Sequence, residues 1–91
     1  MLGGKMELRV LRYYLAVCQE KNITKAAESL HIAQPSLSTQ IKDLEKELGV
    51  TLFERGHRQI KLTQEGYFLR DRAQDLMLWR TRLNKLFKVL I

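Results

Sequence analysis

Two helix-sized patterns lie end to end between residues 22 and 49, separated only by His31, Ile32 and Ala33. No other feature constrains the fold as tightly, because so short a gap permits only a turn. The first pattern, residues 25–30, contains Ala26 and Ala27, and Thr24 is predicted to cap it. Small side chains let another helix approach closely, as the tight crossing of two helices joined by a turn requires. Ile32 is the predicted plug of the turn. The second helix is predicted to start near Pro35, whose fixed φ and missing N–H suit a first helical turn, and to stop at Gly49. Leu37, Ile41, Leu44 and Leu48 then form its inner stripe.

The outer face of that second helix changes along its length. Gln34, Pro35, Ser36, Ser38, Thr39, Gln40 and Lys42 come first, and Asp43, Glu45 and Glu47 follow. Hydroxyls and amides both donate and accept hydrogen bonds, which is what reading base edges in a DNA major groove requires. The acidic rear would be repelled by phosphate, so only the front half can face nucleic acid. Gln34, Ser38 and Thr39 are the candidates for base edges, with Ser36 and Lys42 on phosphates. An ordinary solvated helix face is the competing reading of the same residues.

Around this unit the pattern continues. Leu8, Leu11, Leu15 and Cys18, widened by Val10, Tyr14 and Val17, predict a helix over residues 7–21 that ends at Asn22. After Gly49 the period changes to two, and residues 52–55 and 59–62 read as a β-hairpin with Gly56, His57 and Arg58 at its tip. Such a hairpin, carrying Arg55 and Arg58 beside the second helix, is a wing. Thr63 is predicted to cap a last helix running to the end of the chain. On it Leu69, Leu76, Trp79, Leu83, Leu86 and Leu90 form an apolar seam, whose first turns are expected to pack on the chain's own domain around Tyr67 and Phe68. A domain this small cannot cover the far half, so a second copy is expected there.

The chain has 91 residues, enough for one small domain. The boundaries expected are a leader or expression remnant at residues 1–5, a compact domain at residues 6–62 and a dimerisation helix at residues 63–91. The net charge of +6 is unevenly placed: residues 1–54 carry seven Lys/Arg against seven Asp/Glu, and residues 55–91 carry nine against three. A positive surface favours an anionic partner. Cys18, the single cysteine, has no metal-ligand spacing around it and reads as a packing thiol. No catalytic trio, carboxylate pair or glycine-rich phosphate loop is present, so neither an enzyme nor a cofactor or metal is expected. The lack of a basic-then-apolar leader and of a long apolar run points to a cytoplasmic protein with no membrane partner.

Several separate motifs in order carry a family resemblance. Glu7-Leu8-Arg9, Leu11-Arg12-Tyr13-Tyr14, Ile23-Thr24-Lys25-Ala26-Ala27 and Gln34-Pro35-Ser36-Leu37-Ser38 resemble the DNA-binding domain of LysR-type transcriptional regulators. Leu44-Glu45-Lys46-Glu47-Leu48-Gly49, Leu52-Phe53-Glu54-Arg55 and Leu62-Thr63-Gln64-Glu65-Gly66 continue the match. The resemblance implies a mainly α winged helix-turn-helix (three helices and a β-hairpin wing), followed by a long dimerisation helix. It implies a homodimer on double-stranded DNA with an interrupted inverted repeat. A small-molecule effector would act only through a C-terminal domain outside this chain, which then looks like an N-terminal fragment. It places DNA contacts on Gln34, Pro35, Ser36, Ser38, Gln40, Arg55 and Arg58. Thr39 stands where members commonly have arginine, a change worth about 1–3 kcal/mol if that contact is bidentate. Ala33 stands where a hydroxyl often caps the second helix, leaving that duty to Gln34 or water. The competing function is a winged helix that docks on protein and tolerates changes at Ser38 and Thr39; an amphipathic membrane-surface role for the last helix is a third.

Overall fold

The computed structural model describes residues 6–54, Gly56 and residues 58–90. Its elements are α1 (Leu8–Glu20), α2 (Ile23–Leu30), α3 (Gln34–Leu48), β1 (Phe53–Glu54), β2 (Lys61–Leu62) and α4 (Gln64–Leu90). α1, α2 and α3 close around Tyr14, Val17, Ala26, Ala27, Leu37, Ile41, Leu44 and Leu52. Ala26 and Ala27 are buried, as close helix crossing demands. The buried line of α1 is Leu11, Tyr14 and Val17, whereas Leu8 is exposed. The predicted stripe was therefore rotated. A wide apolar face leaves its centre undetermined until neighbours pack on it.

The junctions explain where each helix stops. α1 ends on Lys21 in the left-handed region (φ 55), with its N–H on the Val17 carbonyl. The cap of α2 is Asn22, not Thr24: its side chain accepts from the Lys25 N–H at 2.9 Å. Thr24 lies inside α2, exposed. Asn22→Ala is expected to lower stability by about 1 kcal/mol in urea unfolding, with Thr24→Ala near neutral; equal losses would reassign the cap. α3 ends as expected at Gly49, φ 70, where glycine has no Cβ penalty. Its Ala33 cap position has no side-chain acceptor.

The wing is shorter than its hydrophobic pattern suggests. Only two residues pair on each side, antiparallel, with Phe53 opposite Leu62 and Glu54 opposite Lys61. Its anchorage comes from elsewhere. Phe53 lies 5.5 Å from the Tyr14 ring, the Ile60 N–H donates to the Lys21 carbonyl at 3.0 Å, and the Leu52 N–H donates to Glu45 Oε2 at 2.7 Å.

Thr63 caps α4 as predicted. Its Oγ1 accepts from the Gly66 N–H at 3.0 Å and donates to the Thr51 carbonyl at 2.6 Å. α4 touches its own domain through Gly66, Leu69 and Ala73, and Tyr67 and Phe68 are exposed, contrary to the expectation. The Tyr14 hydroxyl donates to the Gly66 carbonyl at 2.6 Å. Burial raises the Tyr14 phenol and the Cys18 thiol above their ordinary values, so both stay protonated and Cys18 acts as packing. Leu76, Trp79, Leu83, Leu86 and Leu90 are all exposed, whereas Leu69 is partly buried in the chain's own core. No helix among the described residues is long and apolar enough to cross a membrane.

Candidate nucleic-acid interface

α3 presents three sides. Leu37, Ile41 and Leu44 are buried. Opposite them Pro35, Ser36, Thr39 and Lys42 are exposed, and Gln34 is exposed at the helix start. Ser38 and Gln40 are half-buried on the two flanks. The front end of α3 is therefore open to a partner rather than covered by the chain's own side chains.

The flank of Ser38 faces the wing. Ser38, Lys42, Glu45, Glu54, Gly56 and Gln59 border a groove of about 350 Å³ that is also lined by Ile23, the neighbour of Thr24. Gln34 Nε2 donates to Ser38 Oγ at 3.0 Å, one helical turn away. That bond holds the amide still while its carbonyl oxygen and second N–H remain available for pairing. Gln34 thus preorganises Ser38 instead of capping α3. The N-terminal dipole of α3 adds positive potential at this end.

Electrostatics divide the site. Glu45 Oε2 accepts from the Leu52 N–H, which ties that carboxylate to the start of the wing at the border of the Ser38 groove. Glu54 pairs with Lys61 at 3.7 Å. Gln40 turns to the other flank and shares a cleft with Glu7, Arg9, Asp43 and Glu47. Such a surface repels phosphate, so the structure separates Gln40 from Gln34, Ser38 and Lys42. Arg58 is exposed on the wing, and the expectation for Arg55 lies outside the described residues. Sequence reasoning missed the structural role of Glu45, although its spacing of seven from Leu52 offered no signal. In the sequence the acid is only part of an outer charge run with Asp43 and Glu47.

Three helices, a two-stranded wing and an open α3 front define a winged helix-turn-helix of the DNA-binding type. Residues 8–67 match the model described as "Bacterial regulatory helix-turn-helix protein, lysR family", and the chain belongs to that family. It is 56% identical over 72 residues to the HTH-type transcriptional regulator BenM of Acinetobacter baylyi, covering 79% of this chain and 24% of BenM. It is 57% identical over 67 residues to the Hca operon transcriptional activator HcaR of Escherichia coli, covering 72% and 23%. The crystal structure of the BenM DBD/benA site 1 DNA complex matches with a TM-score of 0.91 and 48% identity, over 93% of this chain and 96% of that one. The chain spans about a quarter of the length of the curated relatives it matches.

Proposed function

We propose that this chain is the sequence-specific DNA-binding domain of a cytoplasmic LysR-type transcriptional regulator and that it has no catalytic role. It acts as a homodimer joined through α4 on an interrupted inverted repeat of double-stranded DNA. The observation that carries the reading is the exposed amide and hydroxyl front of α3, lying beside the wing. A DNA complex of the BenM domain, similar over nearly the whole chain, supports it. α3 would enter the major groove by its N-terminal end, with Gln34, Ser38 and Thr39 on base edges. Ser36, Lys42 and Thr24 would meet phosphates, Pro35 would fit against the groove wall, and Arg55 and Arg58 would extend the contact from the wing. Gln40 is a lesser contributor because of its acidic surroundings.

The far half of α4 exposes Leu76, Trp79, Leu83, Leu86 and Leu90 along one seam, the pattern that supports pairing with a second copy. Leu69 would contribute only through the edge not engaged in its own core. Whatever senses a small-molecule effector would lie in the additional length its relatives possess. The test is selection of random duplexes by this chain, read for dyad symmetry at two salt concentrations. Related half-sites about 34–36 Å apart, or a multiple of that, are expected. Enrichment of no sequence, with no salt dependence, would reject DNA reading in favour of protein docking. Within a selected site, Ser38→Ala releases Gln34 as well as removing a hydroxyl. It is expected to cost about 1–3 kcal/mol of discrimination at one base pair. A loss spread evenly over all sequences would instead make Ser38 a phosphate contact.

A further inference from the structure

The wing has a second side, facing away from α3. There a cleft of about 590 Å³ is bordered by Lys21, Arg58, Gln59, Lys61, Tyr67 and Cys18, with no carboxylate among its lining residues. Lys61 is already paired with Glu54. Lys21 and Arg58 belong to different elements, the α1–α2 junction and the wing, yet they border one concave surface.

Lys21 is an unexpected residue for its place. Its φ of 55 lies in the left-handed region, where glycine or asparagine holds a turn at lower cost than a lysine does. The junction is also fixed on every side. The Lys21 N–H is held by Val17, its carbonyl accepts from the wing at Ile60, and the adjacent Asn22 side chain caps α2. A long cationic side chain is therefore presented from a rigid base, next to the wing and at the start of the first helix of the helix-turn-helix. That helix crosses the DNA backbone in this class of fold. Most exposed lysines are only solvated, but residues held in sparsely populated backbone conformations cluster at functional sites.

We propose that Lys21 is a positioning residue for DNA: with Arg58 it grips the phosphate backbone flanking the segment that α3 reads, on the outer side of the wing. The proposal rests on the DNA-binding reading given above. Two point cations from separate elements fix the angle of the wing against the duplex, which a single wing-tip arginine cannot. The contact carries no base information, so it contributes equally on every sequence.

Binding of the chain to its selected duplex and to a random duplex is measured from about 50 to 200 mM salt, the range over which phosphate contacts dominate. Lys21→Gly, Lys21→Asn and Lys21→Arg are compared with the parent. Gly and Asn variants relieve the backbone and remove the charge, so they melt at or above the parent temperature while binding both duplexes more weakly. The slope of log affinity against log salt falls by about 0.9 for one lost phosphate contact, roughly a 3.5-fold smaller change across this fourfold range. Lys21→Arg keeps the parent slope. Folded Gly and Asn variants with parental affinity and slope would overturn the grip, as would a loss confined to the selected site. If Lys21→Gly fails to fold, Lys21→Asn alone decides. A parent chain that binds neither duplex would overturn the DNA reading itself, an outcome distinct from a binding parent with unaffected variants.

Discussion

Gly66→Ala is expected to destabilise the domain by about 3 kcal/mol, although alanine is the better helix former. On propensity alone the change would gain about 1 kcal/mol in a helix interior. Here a methyl group would be driven into the Leu52 carbonyl oxygen, with the Leu62 side chain 3.2 Å away on another side. A flexible side chain could move aside, but a backbone carbonyl cannot do so cheaply. The Leu52 carbonyl also accepts from the Thr63 N–H at 3.1 Å, and the Gly66 carbonyl receives the Tyr14 hydroxyl. Pushing α4 outwards loosens both bonds and leaves a buried acceptor short of its donor, at about 1–3 kcal/mol. For a domain of this size each kcal/mol shifts the melting temperature by about 4–8 °C, so a fall of more than about 10 °C is expected. The exposed neighbour Glu65→Ala is the control and should change little. A Gly66→Ala variant that melts at or above the parent would refute the close approach of α4 to the wing.

The second large effect concerns assembly rather than folding. Leu83 is 50% exposed in the single chain, so an aspartate there meets water and leaves the domain intact. In a paired seam the same carboxylate would be desolvated twice over, once per copy. Leu83→Asp is therefore expected to sediment as a monomer. Its affinity for a full inverted repeat should fall about 10²–10⁴-fold, the gain normally obtained by linking two weak sites. Its affinity for an isolated half-site should be unchanged. Persistence of the dimer would remove the seam from the assembly. Unchanged full-site affinity in a monomer would instead show that the two copies do not cooperate through α4.

How much was legible in the sequence depended on whether the deciding contact was local. Gly49 and Thr63 announced the ends of α3 and α4 because a cap is a property of a few consecutive residues. The inner stripe of α3 was equally clear, with Leu37, Ile41 and Leu44 at helical spacing. Asn22 and Thr24 were both chemically competent caps, and only the left-handed turn at Lys21 decided between them. The contact face of α4 was misplaced onto Tyr67 and Phe68 because large aromatic groups suggest burial. Its true contact comes from small residues, Gly66 and Ala73, seven apart, and that spacing was the available signal. At the candidate site the polar front of α3 was readable as a composition. The coupling of Gln34 to Ser38 and the anchoring of Glu45 on the Leu52 N–H required three-dimensional partners.

α4 runs without interruption for 27 residues, about 40 Å at 1.5 Å per residue, from the wing to Leu90. Only its first turns are clamped, by Gly66 under Leu52 and by the Tyr14 phenol. Mechanically that makes it a lever with a short arm gripped in the domain and a long arm outside. A torque applied beyond the seam is transmitted, not absorbed by a hinge, and a tilt of about 5° at the clamp displaces the far end, about 25 Å beyond Ala73, by about 2 Å. The reverse also holds: a shift of α3 and the core against the clamp would swing the exposed seam.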